Sequence, residues 1–221
     1  MTDVDAQPGA QSEAQPGGPG GPGGRPDAPS DYQLLLPDGW FRIDLDPERR
    51  EGAVDALVER QFRGVDDAPI VKQQVREELR GRALDAYRNG GIELYMSLQA
   101  AGGLTVPASL LVTLVPQESL GSGVPVDELA GFLAERGGPA EYEVTVEDLP
   151  AGTSVRTRAR TVPPADDPSG SALPVTSVDY HVPVPGSEAY LLLSFSTPLD
   201  PIADAMADLF DAVALSLKWS A

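Results

Sequence analysis

Residues 190–217 read YLLLSFSTPLDPIADAMADLFDAVALSL and predict a strand followed by an amphipathic helix. The segment Tyr190–Phe195 is almost wholly apolar, which is typical of a strand covered on both faces. Beyond Pro201, which fits the first turn of a helix, apolar residues recur with the helical period. The opposite face of this helix carries three aspartates, Asp204, Asp208 and Asp211. We therefore expect the helix to pack on a sheet that contains this strand.

Further apolar segments predict the rest of the sheet. A strand, a turn and a second strand are expected at Leu34–Leu36, Pro37–Gly39 and Trp40–Leu45. The segment Ile92–Leu98 alternates apolar and polar residues, as a half-buried strand does. The segment Leu110–Val115 is a nearly continuous apolar run, which indicates a central strand.

Residues 141–161 predict a β-hairpin. Its second strand places three arginines at alternate positions, Arg156, Arg158 and Arg160. A symmetric turn at Leu149–Gly152 puts Glu143 opposite Arg158. Because Pro150 cannot take the first central position of a primed turn, we expect a loop of about four residues. The arginines form either an anion site or ion pairs with the glutamates across the hairpin, and the register favours the ion pairs.

Two helices are predicted before the central strands. The first runs from about Pro47 to Arg63 behind Asp46, a suitable N-cap, and the second runs from a cap at Asp66 or Asp67 to Asn89–Gly91. Charged residues on the second helix are interpreted as a solvated face with ion pairs one turn apart, namely Lys72, Arg76, Glu77, Arg80 and Arg88. A short helix at residues 126–136 is expected to bury Leu129, Phe132 and Leu133.

These elements predict an α+β fold, with a mostly antiparallel sheet of about six or seven strands. The helical hairpin and the C-terminal amphipathic helix are expected to pack on this sheet. Residues 31–221 are expected to form a single domain. Residues 1–30 contain seven glycines and six prolines, so we expect a disordered tail. Its Gly17–Gly24 stretch lacks the GK[ST] ending of a phosphate-binding loop.

The composition argues against several functional classes. With 16 basic and 34 acidic residues the formal charge is -18, which disfavours binding to nucleic acid or to anionic membranes. The chain has no cysteine and one histidine, so we expect no disulfide, no metal site and no cofactor. Its first residues, MTDVDAQPGA, lack a signal-peptide pattern, and no apolar stretch is long enough to span a membrane. We therefore expect a cytoplasmic protein without membrane insertion.

The sequence contains no recognisable catalytic constellation, and we assign no catalytic residue. The histidine, His181, lies two residues from Asp179 on a predicted strand. A Ser/His/Asp triad also needs a serine at a sharp turn, but there is no G-x-S-x-G motif and Gly121–Gly123 lies in a loop. His181 is therefore interpreted as a surface residue. Neighbouring carboxylates, such as Asp44 and Asp46, lack the calcium-loop pattern and are interpreted as solubilising charge.

The acidic residues are distributed unevenly along the chain. Residues 31–90 have 13 acidic and 10 basic residues, whereas residues 91–221 have 17 acidic and 5 basic residues. Such an asymmetry either steers a basic protein partner to the sheet half or serves solubility alone.

Two short motifs carry a resemblance to a known family. The segment Leu36–Trp40 leads into a strand, and Tyr190–Ser196 precedes a terminal helix that reaches Trp219. Together with the order of elements over residues 32–219, they resemble the PsbP-like α/β sandwich superfamily, which includes Ran-release-factor proteins and small actinobacterial proteins of unknown function. The resemblance implies a non-catalytic binding or assembly role. The helical segment at residues 47–89 is longer than in that group, and without a lipobox cysteine we expect no lipoprotein.

The leading hypothesis is a non-enzymatic interaction protein whose partner is another protein with a basic surface. It would act as an adaptor, a chaperone-like protein or an assembly factor, for example for a secretion system. The alternative is a carrier of a small apolar ligand between sheet and helices, suggested by Met96, Phe132, Phe195, Met206 and Phe210, which otherwise fill the core. A third hypothesis is a hydrolase that uses Asp179 and His181.

Overall fold

A computed structural model describes residues 28–64, 68–101, 104–116, 124–138, 141–163 and 173–220. The predicted tail lies outside these residues except at its end, and so do its glycine-rich stretch, Asp66, Asp67 and Gly121–Gly123. The tail and the single domain stay predictions. No helix of the described residues is long and apolar enough to cross a membrane.

An antiparallel sheet of seven strands forms the centre of the described structure. Its strands in spatial order are β2 (Trp40–Asp44), β3 (Gly91–Ala101), β4 (Leu104–Val115), β8 (Tyr190–Thr197), β7 (Val175–Pro183), β6 (Gly152–Thr161) and β5 (Glu141–Leu149). A small second sheet pairs β1 (Asp31–Gln33) with β9 (Lys218–Ser220). The predicted α+β fold with a mostly antiparallel sheet is confirmed.

Four helices cover the two faces of this sheet in the described residues. They are α1 (Arg50–Gln61), α2 (Pro69–Arg88), α3 (Val126–Arg136) and α4 (Ala203–Leu215), the last preceded by a 3₁₀ turn at Asp200–Ile202. The face that packs against α4, β1 and β9 is called the front face. The back face is covered by α1 and α2 near β2 and β3, and by α3 near β5 and β6.

The C-terminal helix is held on the front face by an aromatic stack. Phe195 of β8 and Phe210 of α4 are fully buried, and their ring centroids lie 5.0 Å apart with an interplanar angle of 17°. Met206 is also buried in this core. The predicted amphipathic helix is therefore confirmed, and Phe195, Phe210 and Met206 fill the core.

The hairpin register is as predicted, but the arginines have other partners. Glu143 pairs in register with Arg158. The guanidinium of Arg158, however, contacts Asp204. Arg156 binds Asp211 through Nε at 2.9 Å and Nη2 at 3.0 Å.

The third arginine follows the same pattern. Arg160 binds Asp200 through Nε at 2.6 Å. Its Nη1 atom lies farther, at 3.6 Å, from Oε1 of Glu141. Asp200, Asp204 and Asp211 thus fasten α4 and its 3₁₀ turn to β6. The cross-strand interpretation was mostly wrong, because a helix packed on this face places its carboxylates within reach of the same guanidinium groups.

The turn of this hairpin and the first strand also differ from the predictions. The loop has two residues, since Leu149 pairs with Gly152. Pro150 is the first of the two loop residues, and Gly152, which follows the loop, has a φ of 134°, a conformation that favours glycine. The first strand is β1 rather than Leu34–Leu36, because it pairs with β9, a strand that the sequence did not suggest.

The partly buried carboxylate of Glu93 fastens β1 to β3. The hydroxyls of Tyr32 and Tyr95 both donate to Glu93 Oε2 at 2.6 Å. Arg42 forms an ion pair with the other oxygen of the same carboxylate. Burial, together with the neighbouring carboxylate, raises the pKa of both tyrosines. Glu93 is one of the polar residues that alternate along this predicted strand, and in the structure β1 covers it.

The helical hairpin is joined by ion pairs between its helices. Lys72 binds Glu59 at 2.6 Å, and Arg76 binds Asp55 at 3.0 Å. The expected pairs within α2 are thus largely replaced by pairs with α1. Helix α1 begins at Arg50 because the Asp46 side chain accepts from Glu48 N and forms a turn before it.

The short helix α3 has the predicted bounds but buries less than expected. Leu129 is buried and Leu133 partly buried, whereas Phe132 is 54% exposed. The helix packs on two strands at the margin of the sheet, which cover only a narrow stripe of its surface.

Replacing Asp211 by asparagine should destabilise the protein. The change leaves Arg156, whose side chain is 12% exposed, without its paired carboxylate, and puts an amide NH2 donor in place of one of the two oxygens that accept from this guanidinium. We expect a loss of about 2 kcal/mol in the free energy of unfolding, measured by denaturant titration. Asp208→Asn is the control, since Asp208 is exposed and has no ion-pair partner among the described residues; its effect should stay below about 0.5 kcal/mol. Equal effects of the two variants would contradict this role of Asp211.

Candidate interaction surface at the sheet edge

Strand β5 forms one edge of the seven-stranded sheet. It pairs with β6 on one side, and no strand of the described residues pairs with its other side. Alternate backbone N–H and C=O groups along its nine residues therefore point away from the sheet. An edge of this length is able to accept a further strand.

The residues that flank β5 fix its position. Helix α3 ends at Arg136 and is followed by Gly137, which has a φ of 67°. A Cβ on Gly138 would lie 2.5 Å from Cγ of Tyr142. Glycine is needed there because the chain passes directly against the ring. At the other end of β5, Trp219 Nε1 donates to the carbonyl of Ala151 at 2.9 Å, so that β9 holds the hairpin turn.

The side chains of β5 differ between the two faces. Four of its nine residues are acidic and none is basic, namely Glu141, Glu143, Glu147 and Asp148. The three glutamates lie on the front face, because they are paired in register with Arg160, Arg158 and Ser154 of β6, which project from that face. The back face of the strand carries Tyr142, Val144 and Val146, of which Val146 is 44% exposed. The edge is thus acidic on one side and mainly apolar on the other.

A groove of about 780 Å³ adjoins the acidic side of the edge. It lies between β5, β6 and the start of α4, and its charged lining residues are Glu141, Glu143, Asp200, Asp204, Arg158 and Arg160. Both arginines bind the aspartates of the helix. Within the described residues, Glu143 has no cation partner. The groove therefore carries an excess of negative charge next to an unpaired strand.

Asp179 and His181 do not form a catalytic pair in this structure. Asp179 lies on the back face, where the hydroxyls of Thr157 and Ser194 donate to its carboxylate. Desolvation raises its pKa in spite of these hydrogen bonds.

His181 is not the surface residue that the sequence indicated. It is half-buried between Val155 and Leu192, its register partners, and its Nδ1 atom is buried without a hydrogen-bond partner. Burial lowers its pKa to about 4, against a smaller opposing effect of the Val155 backbone. The environment keeps the ring neutral.

The residues considered for an apolar ligand lie in separate places. Met96 lines a small groove of about 230 Å³ between α1, α2 and β3, with mostly apolar walls. Phe132 is exposed on α3, and the remaining three are packed in the core. Among the described residues, no group of three or more potential ligands is arranged to hold a metal.

The sequence missed the edge because a strand's place in a sheet is set by distant residues. The glutamates of β5 were assigned to arginine partners across the hairpin. The alternation of acids in EYEVTVE was the available signal. Only the positions of α4 and of the other strands show that this row of glutamates lies at the edge of the sheet.

No protein-family model and no curated protein matches the chain. One similar solved structure is LpqN of Mycobacterium tuberculosis, a protein involved in cell envelope biogenesis, with a TM-score of 0.45, 11% identity, and coverage of 89% of this chain and 87% of that chain. Another is PsbP (CyanoP) of Synechocystis sp. PCC 6803, with a TM-score of 0.31, 15% identity, and coverage of 90% and 98%. At these values the matches do not show that the chain belongs to either family, and nothing about its function follows from them.

The pKa of His181 can be measured directly, because the chain has one histidine. We expect its ring signals in an NMR titration to change with a midpoint near pH 4. The unfolded chain titrates near pH 6.5, so it binds the proton first as the pH falls. Folding stability should therefore decrease between pH 6.5 and pH 4, by about 3 kcal/mol from this residue.

The variant His181→Gln isolates this contribution. Asp179, with its raised pKa, acts in the opposite direction, so the comparison is the difference in stability between wild type and variant at each pH. That difference should change between pH 6.5 and pH 4 and stay constant above pH 7. A midpoint near 6.5 in the NMR titration would show a solvated ring instead.

Proposed function

We propose that the protein is a non-enzymatic interaction protein that binds an extended, basic segment of another protein along β5. The observation that carries the proposal is an edge strand of nine residues with four acidic and no basic side chains. Backbone hydrogen bonds along the edge would supply affinity, and the acidic row would select a basic segment.

The charge of the edge also argues against a second copy of this chain as the occupant. Antiparallel pairing of two β5 strands about Thr145 would place Glu143 opposite Glu147 of the other copy. Like charges directly opposite each other destabilise a strand pair. A basic strand reverses the sign of this interaction.

A role as an adaptor, chaperone-like protein or assembly factor is consistent with binding of this kind. A protein that captures an extended segment holds its partner without a chemical step. The proposal assigns no catalytic residue, no cofactor and no metal, and it keeps a cytoplasmic location as a prediction.

A nine-residue peptide of alternating arginine and valine, RVRVRVRVR with blocked ends, is a suitable probe. We expect it to bind wild-type protein and to slow amide hydrogen exchange along β5. The double variant Glu143→Gln/Glu147→Gln should weaken binding by between about 2-fold and 30-fold, which corresponds to two exposed charge pairs. Higher salt should weaken the wild-type complex further.

The matched control is Glu48→Gln/Glu77→Gln, which removes the same charge from exposed residues of the helical half. The affinity of this control variant for the peptide should stay within about 2-fold of the wild-type affinity. Equal weakening by both double variants would show that the net charge of the protein, and not the position of the glutamates on β5, determines peptide affinity. Absence of binding, or protection elsewhere than on β5, would refute the proposal.

A second candidate function is the binding of a medium-chain fatty acid, which the groove at Met96 favours. Its walls include Leu57, Phe62, Val75 and Leu79, and Gln61, Glu78 and Arg82 supply polar groups. An acyl chain would occupy the apolar walls, and its carboxylate would compete with Glu78 for Arg82, which now pair at 2.6 Å.

Native mass spectrometry with decanoic acid tests this second candidate. One decanoate should bind per wild-type chain, and Met96→Trp, which fills the groove, should abolish the complex. Val71→Trp is the control, because Val71 is 50% exposed on α2 and does not line the groove. Spectra that show bare polypeptide at every decanoate concentration would exclude this function.

A further inference from the structure

The two sides of β5 define the sequence pattern of its partner. We propose that the bound segment alternates basic and apolar residues, with the basic residues opposite the glutamates and the apolar residues opposite Tyr142, Val144 and Val146. This inference rests on the proposed binding along β5. The proposed function specifies only that the partner segment is basic. The inference specifies in addition the order of its basic and apolar residues.

The geometry of strand pairing decides which residues of the partner meet each face of β5. Residues directly opposite each other on paired strands project from the same face of the sheet, and successive residues project from opposite faces. A segment added to β5 would therefore continue both faces of the sheet. Its side chains would meet the acidic row on the front and the apolar row on the back.

The front face favours a basic residue at every second position. Glu141, Glu143 and Glu147 occupy alternate positions of β5, with Thr145 between the last two. Thr145 Oγ1 donates to Glu147 at 2.9 Å, which keeps that carboxylate on the same face. A guanidinium opposite Glu143 would also lie at the mouth of the groove, next to Asp204.

The back face favours apolar residues at the intervening positions. Val144 is partly covered by the core beneath α3, but Val146 is 44% exposed. Phe132 of α3, the helix that packs on β5 and β6, is also 54% exposed. A lysine or arginine at these positions of the partner would meet a single acid of β5 on that face, Asp148 near the end of the strand. An apolar side chain would instead cover Val146.

The charged edge alone does not carry this inference, because any basic peptide would satisfy it. The additional observation is the contrast between the faces of one strand. A segment with its basic residues grouped together would leave some of them on the apolar face and some glutamates without a partner. Alternation satisfies both faces at once.

Two peptides of identical composition test the order of residues. The first is RVRVRVRVR, and the second is RRRRRVVVV, both with blocked ends. We expect the alternating peptide to bind β5 about 10-fold more tightly, the combined effect of several cross-strand pairs. Affinities are measured by calorimetry, and the binding site by amide hydrogen exchange along β5.

Each outcome separates the inference from the proposed function. Equal affinities of both peptides, with protection of β5, would overturn the alternating pattern and leave binding at the edge intact. Failure of both peptides to protect β5 would overturn the pattern together with the proposed function.

A variant on the back face gives an independent measurement. Val146→Thr should reduce the advantage of the alternating peptide at least about 2-fold, because it removes an apolar partner from β5. The substitution is tolerated in folding, since threonine suits a strand and the side chain is already exposed. Val71→Thr on α2 is the matched control and should leave the advantage unchanged. An unchanged advantage in Val146→Thr would overturn the role of the apolar face.

Discussion

The stacked rings of Phe195 and Phe210 hold the C-terminal helix against the middle strand of the sheet, and that contact decides how the charges are paired. With α4 in this place, its aspartates reach the arginines of β6. Those arginines lie between the helix and the glutamates of β5, and they bind mainly to the helix. The glutamates are then left at the margin of the sheet. The acidic edge is thus a consequence of how the core is packed.

Much of the fold could be predicted because its signals are local. The apolar run of β8, the helical period of α4 and the register of the β5–β6 hairpin each lie within a short segment. The partners of Arg156 and Glu93 could not be predicted, since they come from elements far away along the chain. The edge position of β5 was missed for the same reason. A sequence pattern indicates that a strand exists, whereas its neighbours depend on how the whole sheet is assembled.

The back face of the sheet shows a further limit of periodicity. Helices cover its two margins, and polar side chains lie on the strands between them, including the Ser109 and Ser196 hydroxyls at 2.8 Å. Asp179 finds two hydroxyl donors in this region, whereas His181 faces apolar neighbours. Two residues separated by one position on the same strand therefore have different surroundings. Their closeness in sequence suggested a shared chemical role that the neighbouring strands do not support.

The pairing of β1 with β9 places the two ends of the described chain side by side. Asp31 lies opposite Ser220, and Ser30 N donates to the carbonyl of Ser220 at 3.1 Å. A pulling force applied to both ends would act across the two strands. It would load their hydrogen bonds one after another, whereas a force along the strands would load them all together. The small sheet would therefore separate at low force, before the seven-stranded sheet bears any load. Separation of β1 from β9 would expose Trp219, the residue that supports the β5–β6 turn.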